Sequence, residues 1–176
     1  MTAPVLAGSL VITVHGRPAP QGSKRAFAVR GKGGVPTGRI AVIESSHDRV
    51  KSWRQAVIDA AAEASGWGER PPLTGPLEVS MVFAMPRPKG HYRTGRNAHL
   101  LRDSAPARPA GTPDLSKLCR ATEDALTDIG VWTDDAQVVE YVRLAKVYAP
   151  AGALTTPGAL ITITSSEETG HGCDHR

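Results

Sequence analysis

One segment of the chain, residues 112–140, reads TPDLSKLCRATEDALTDIGVWTDDAQVVE. Its first aspartate, Asp114, precedes apolar residues at helical spacing, and aspartate is a favoured residue at the N-cap of a helix. A glycine follows the last of these residues, as glycine commonly does where a helix ends. The pattern predicts a helix from Asp114 to about Asp128, with the acidic pair Asp134 and Asp135 after the turn that follows.

Carboxylate groups therefore stand on both sides of the predicted helix. We expect Asp114, Asp134 and Asp135 to converge in space, where their hard oxygen donors would form a site for Mg²⁺ with phosphate oxygens completing the octahedron. A structural role competes with this interpretation, since an aspartate at an N-cap and an Asp-Asp turn are both ordinary. Taken one at a time, the residues leave both roles open for each of the three aspartates.

The length and composition of the chain suit one folded domain. Its 176 residues can bury a core large enough to fold unaided, and we assign residues 1–166 to this domain. The net charge of +4 favours an anionic partner, although so modest an excess can serve solubility alone. Residues 167–176 form a polar terminal run that we expect to be a disordered tail.

A long basic loop, residues 86–113, leads directly into the predicted acidic helix. Its only acid is Asp103, against the cations Arg87, Lys89, Arg93, Arg96, Arg102 and Arg108. Long loops without regular structure are usually functional or disordered, so we interpret this one as a flap that contacts the anionic partner beside the metal, with a hydrated mobile loop as the alternative. The cations that we expect to contact this partner are Lys24, Arg25, Lys89, Arg93, Arg96 and Lys117.

The other segments carry strand and helix patterns. Apolar and β-branched residues predict strands at Ser9–His15, Leu77–Met85, Val138–Tyr148 and Ala159–Thr164, and a hairpin from Ala26–Arg30 and Arg39–Glu44. Apolar residues at helical spacing behind a serine predict a packing helix from Ser46 to about Ser65. The predicted fold is α+β: a mixed β-sheet packed by two main helices.

The sequence lacks the patterns that are typical of secreted, membrane-spanning, disulfide-rich, zinc-binding and nucleotide-binding proteins. Met1 to Leu10 lacks the pattern of a secretory signal, and no apolar stretch approaches the length of a membrane span. Cys119 and Cys173 provide neither a disulfide framework nor a zinc motif, and Cys119 is interpreted as a buried packing residue. The glycine-rich turn at residues 31–38 lacks the ending of a nucleotide-binding phosphate loop. We expect a cytoplasmic bacterial or phage protein without a membrane partner or a nucleotide cofactor.

The quoted segment resembles the RusA family of Holliday junction resolvases. The family signature is Pro-Asp-Leu-Asp-Asn/Lys-Leu, then a helix that ends Asp-Ala-Leu, then Asp-Asp-Ala-Gln-Val. The chain has Pro113-Asp114-Leu115-Ser116-Lys117-Leu118, Asp124-Ala125-Leu126 and Asp134-Asp135-Ala136-Gln137-Val138. A weaker likeness at Gly16-Arg17-Pro18 and Gly22-Ser23-Lys24-Arg25 extends the resemblance over about Leu10 to Thr164.

The resemblance implies a homodimeric endonuclease that uses Mg²⁺, or Mn²⁺ in its place, to resolve four-way or otherwise branched DNA by paired nicks in recombination and repair. It implies metal ligands at Asp114, Ser116 and Asp135, and so favours function over a structural role for the two aspartates and leaves Asp134 open. It also makes DNA the expected partner of the six cations named above. Arg120 matches a family lysine and would stabilise the phosphate as charge develops on its oxygens. The structural alternative for Arg120 is an ion pair with Asp124, four residues on.

Ser116 departs from the family pattern, which has an aspartate there. A neutral hydroxyl is a poorer Mg²⁺ ligand than a carboxylate. Three outcomes are open: Ser116 binds a metal-coordinated water, Asp134 replaces the missing charge, or the protein binds junctions and cuts them poorly. We favour retained but reduced cleavage, and the alternative function is a junction-binding protein that has lost cleavage.

Overall fold

The structure, a computed structural model, describes residues 9–22, 24–31, 33–44, 47–65 and 71–166. The strands within these ranges are β1 (Leu10–His15), β2 (Lys24–Arg30), β3 (Pro36–Glu44), β4 (Leu77–Met85), β5 (Val138–Tyr148) and β6 (Gly158–Ser165). The α-helices are α1 (His47–Ser65) and α2 (Leu115–Asp128). The predicted α+β class is confirmed. The serine predicted to cap α1 and the tail at residues 167–176 lie outside the described residues.

Four strands form a mixed sheet in the order β1-β6-β4-β5. Strand β6 is antiparallel to β1 and β4, whereas β4 and β5 are parallel. A parallel pair needs a crossover connection, and α2 provides it between β4 and β5. Helix α2 therefore begins at the edge of the sheet where β4 ends, and it ends at the edge where β5 begins. Strands β2 and β3 form a separate antiparallel hairpin.

The core lies between this sheet and the two helices. Helix α1 contacts both β1 and α2, and α2 also contacts β5. Of the apolar residues that recur at helical spacing on α1, Ala60 is half-buried and Ala64 is exposed, whereas the others are buried: Val50, Trp53, Val57 and Ala61. Alternate residues of β4, among them Met81 and Phe83, are buried against them. None of the helices in the described ranges has the length and apolar character that a membrane crossing needs.

A buried hydrogen bond joins the two helices. The indole nitrogen Nε1 of Trp53 donates to Oγ1 of Thr122 at 3.1 Å, and the Thr122 hydroxyl donates to the carbonyl oxygen of Leu118 at 2.9 Å. Thr122 and Trp53 are almost completely buried, so water cannot replace either partner. The hydrogen bond between Trp53 and Thr122 fixes how α1 and α2 pack, and therefore where α2 lies on the sheet.

We expect Thr122→Val to lower the free energy of unfolding by about 1–3 kcal/mol, because the buried indole N–H loses its acceptor. Thr122→Ser is the matched control, since it keeps the hydroxyl. Urea denaturation followed by tryptophan fluorescence measures both variants. A valine variant as stable as the unmutated protein would contradict the role that we give to this hydrogen bond.

Candidate active site

The start of α2 presents Asp114 as an exposed carboxylate. Asp114 is the N-cap residue, as predicted, but its side chain makes no capping hydrogen bond. It pairs instead with Lys117 at 3.2 Å, and 55% of the side chain stays exposed. Lys146 of β5 donates to the carbonyl oxygens of Gly111 and Pro113 at 2.8 and 2.7 Å. The chain that carries Asp114 is thus tied to the end of β5 while its carboxylate faces solvent.

Ser116 and Arg120 are also exposed on α2. Within the part of the chain that the structure describes, neither side chain has a hydrogen-bond or ion-pair partner. The structural alternative for Arg120, an ion pair with Asp124, does not form among the described residues, where Arg54 of α1 pairs with Asp124 at 3.4 Å. The packing of the two helices brings a different cation to that carboxylate and leaves Arg120 available for a ligand.

Asp134 and Asp135 begin the short 3-10 turn that precedes β5. The carboxylate of Asp134 accepts from the backbone N–H of Ala136 at 2.8 Å, while Oε1 of Gln137 accepts from the backbone N–H groups of Thr133 and Asp134. This capping box commits Asp134 to the turn. Asp135 is exposed and has no partner among the described residues, so it is the better candidate of the two for chemistry.

The motif carboxylates do not converge within one chain. Asp134 and Asp135 share a shallow hollow with Asp124 and Asp128 near the C-terminal end of α2, whereas Asp114 lies at its start. A helix of 14 residues separates its two ends by about 20 Å at ~1.5 Å per residue. The described ranges contain no group of three acidic, histidine or cysteine side chains that could hold a metal ion. The predicted convergence is therefore wrong for a single copy.

The basic loop has more local structure than predicted. It contains 3-10 turns at Lys89–His91 and Gly95–Asn97, and Tyr92 forms an antiparallel bridge with Leu101. Lys89 and Arg96 are exposed. Arg93 pairs with Asp103 at 2.9 Å and donates to the carbonyl oxygen of Leu101, so it supports the fold of the loop.

The remaining predicted DNA contacts come from the hairpin and from α2. Lys24 and Arg25 begin β2, where their backbones pair with Glu44 and Ile43 of β3. Their side chains lie outside what the structure describes. Lys117 lies beside Asp114, so its own positive charge stands at the start of α2.

Cys119 is a buried packing residue, as predicted. Its side chain is 4% exposed, and its sulfur lies 3.9 Å from the sulfur of Met81. Burial raises the pKa of the Cys119 thiol to about 11. Because the thiolate is the nucleophilic form of cysteine, a nucleophilic role at neutral pH is disfavoured.

A cleft of about 860 Å³, which the sequence did not predict, opens beside the start of α2. Its walls come from residues 16–20, the first half of α1, the ends of β4 and β5, and residues 106–113. Because these segments are far apart in the sequence, no local pattern marks the cleft. It places a concave surface next to Asp114 at the edge where the parallel strands β4 and β5 end, which is where α/β sheets commonly bind ligands.

Comparison with family models matches residues 17–163 to endodeoxyribonuclease RusA. Comparison with curated proteins gives no match. The matched range covers most of the chain and includes Asp114, Asp135, the helix between them and the basic loop. The chain therefore belongs to the RusA family of endodeoxyribonucleases.

Proposed function

We propose that the protein is a homodimeric, Mg²⁺-dependent endonuclease that resolves four-way DNA junctions by paired nicks. One observation carries the proposal: two exposed motif aspartates, Asp114 and Asp135, stand at opposite ends of the same edge strand, β5. Family membership supports the nuclease activity. The exposed cations of the basic loop beside Asp114 suit the phosphate backbone of the substrate.

The dimer is proposed because β5 has an exposed apolar patch. β5 is an edge strand, and its pairing with β4 is interrupted by bulges at Val139 and Val142. These two side chains are 61% and 60% exposed, and Tyr141 between them is 39% exposed. Bulges discourage ladder extension along an edge, so side-chain packing across a two-fold axis is the contact that this patch favours.

Such an axis pairs the two ends of β5. A two-fold axis that passes through the patch perpendicular to β5 makes the β5 strands of the two copies antiparallel. Val138 begins β5 three residues before Tyr141, about 10 Å at ~3.3 Å per residue, and the 3-10 turn that contains Asp135 adds at most about 6 Å at ~2 Å per residue. Lys146 lies five residues after Tyr141, about 17 Å along the strand at ~3.3 Å per residue. Asp135 of the partner subunit is then level with Lys146, which holds the chain before Asp114. We propose that each active site combines Asp114 of one copy with the partner's Asp135.

The composite site would offer Mg²⁺ two carboxylates at one point, whereas within a single chain Asp114 and Asp135 lie apart. Asp114 and the partner's Asp135 would hold the ion, with Ser116 contributing a hydroxyl directly or through water. Mn²⁺ accepts the same oxygen ligands. The bound ion supplies activation of water and polarisation of the scissile phosphate.

The remaining roles belong to side chains of α2, the turn before β5 and the basic loop. Arg120, nearly two turns from Asp114, provides a cation for the charge that develops on the phosphate oxygens. Asp134 positions Asp135 by capping its turn. Lys89 and Arg96 hold the flanking DNA backbone. The two identical sites match the symmetry of a four-way junction, which needs two cuts on opposing strands.

Cleavage of a synthetic four-way junction tests the proposal. The purified protein is expected to make paired nicks that depend on Mg²⁺ or Mn²⁺ and persist with linear duplex as competitor. Asp135→Asn is expected to lower the rate at least about 100-fold, while its affinity for the junction in a gel-shift assay stays close to that of the unmutated protein. Equal cleavage of junction and linear duplex would contradict a junction resolvase.

A second candidate function is a junction-binding protein without cleavage. Ser116 favours it, because one charged ligand of the family pattern is missing. Tight binding of the junction without nicks at any Mg²⁺ or Mn²⁺ concentration would support this candidate. Salt sensitivity of binding does not separate the two, since both predict it.

A further inference from the structure

The cleft beside Asp114 has an apolar floor and a cationic rim. Two of the side chains that line it are almost completely buried, Trp53 at 1% exposure and Met85 at 6%, and several prolines line it as well. Its volume of about 860 Å³ lies within the roughly 300–1,000 Å³ typical of ligand clefts. Apolar walls with a few convergent charges are the usual composition of a site for a small organic group.

Three arginines at the rim have no acidic partner within the described ranges. Arg17, Arg49 and Arg108 line the cleft and are exposed, and no acid in the described ranges pairs with them. Among the described residues that line the cleft, Asp48 is the one acid. Cations gathered around one opening repel each other, and a ligand with phosphate groups would offset this repulsion.

A buried polar atom in the wall also lacks a partner. Nδ1 of His91 is inaccessible and makes no hydrogen bond in the part of the chain that is described. The His91 ring stands edge-on to Tyr148, with 5.4 Å between centroids. An unsatisfied buried nitrogen is destabilising, so this wall favours a ligand that carries its own hydrogen-bonding groups, as a nucleobase does.

The wall nearest Asp114 is held in place before any ligand binds. Arg87 donates to the carbonyl oxygen of Pro106 at 3.0 Å, and its guanidinium carbon lies 4.1 Å from the centroid of Tyr148. Lys146 holds the other end of the same wall through Gly111 and Pro113. The cleft is thus preformed, and its wall leads directly to the proposed catalytic aspartate.

We propose that this cleft binds one unstacked nucleotide of the DNA strand that is to be cut. The base would lie on the apolar floor, and the adjoining phosphates would bind Arg17, Arg49 and Arg108. A nucleotide must leave the base stack to enter such a cleft, and this costs least where pairing is already disturbed, as at a branch point. The inference rests on the proposed function for its substrate, and it adds how the protein recognises the branch.

A junction with 2-aminopurine at the branch point tests the proposal, because the fluorescence of this base rises when it leaves the stack. In EDTA, where no cleavage occurs, saturating unmutated protein is expected to raise the signal about threefold or more. Ser52→Trp fills the cleft from an exposed position on α1 without changing charge. This variant and the double variant Arg49→Gln/Arg108→Gln are expected to lose at least about half of the rise.

Lys51→Gln is the matched control, because Lys51 is exposed on α1 and does not line the cleft. It removes one charge from the same helix and is expected to keep the full rise. Fluorescence anisotropy of the labelled junction reports binding separately, and thermal melting verifies that each variant is folded. An equal rise in Ser52→Trp and Lys51→Gln would overturn the proposal, as would an unchanged signal when the unmutated protein is bound.

A separate measurement keeps the failure of this proposal distinct from failure of the proposed function. If the protein shows no preference for a junction over linear duplex, the resolvase proposal fails. A dye-labelled single-stranded oligonucleotide then decides the role of the cleft. Weaker binding by Ser52→Trp than by Lys51→Gln supports a nucleotide site, and equal binding by the two variants overturns it.

Discussion

Two inactive variants, Asp114→Asn and Asp135→Asn, are expected to restore cleavage when one copy of each forms a dimer. If each site combines Asp114 of one copy with the partner's Asp135, one of the two sites in the mixed dimer contains both intact aspartates. Random association makes about half of the dimers mixed, so first-strand nicking should return to roughly a quarter of the unmutated rate. Each variant alone should remain at least about 100-fold below that rate.

The reverse mixture provides the control. A dimer of one unmutated copy and one Asp114→Asn/Asp135→Asn copy has no complete composite site, whereas a site built within one chain would stay intact in the unmutated copy. Coexpression of the two copies with different tags, followed by purification through both tags, isolates the mixed dimers. Restored nicking in the first mixture together with loss in the second supports a shared site. The opposite pair of results would place both aspartates of each site in one copy.

The helices and strands could be predicted from the sequence because their apolar residues recur at a regular spacing. Strands β4 and β5 have the predicted bounds, since alternating or continuous apolar residues lie between glycine, proline and acidic turns. Buried residues of α1 recur at the helical spacing from which that helix was predicted. The spacing of apolar residues shows which side of each helix or strand faces the core, and this spacing can be read from residues that are close together in the sequence.

Contacts between elements were less predictable. The local pattern at Arg120 indicates an ion pair with Asp124, but the packing of α1 on α2 gives that carboxylate to Arg54. The order of Asp114 and Asp135 is visible in the sequence, but their separation follows from the crossover helix that lies between them. The roles of Asp134 and Asp135 are separated only by the hydrogen bonds of the turn.

Replacing Ser116 with aspartate is expected to raise Mg²⁺-dependent cleavage about tenfold or more and to lower the Mg²⁺ concentration at half-maximal rate, because a carboxylate replaces a neutral hydroxyl as a potential ligand. Ser116 is exposed in the first turn of α2, two residues from Asp114. The new carboxylate therefore needs no room in the core. The positive end of the helix dipole also favours an acid at this position, so the fold should tolerate the change.

Ser116→Asn separates charge from shape, since asparagine has nearly the size of aspartate but remains neutral. Single-turnover cleavage across a Mg²⁺ series should show a gain for aspartate and none for asparagine. The gain should vanish in Ser116→Asp/Asp135→Asn, because one added carboxylate cannot compensate for a ligand lost from the other half of the site. An aspartate variant with the unmutated rate and Mg²⁺ dependence would place Ser116 outside the metal site. A gain that survives Asp135→Asn would instead remove Asp135 from that site.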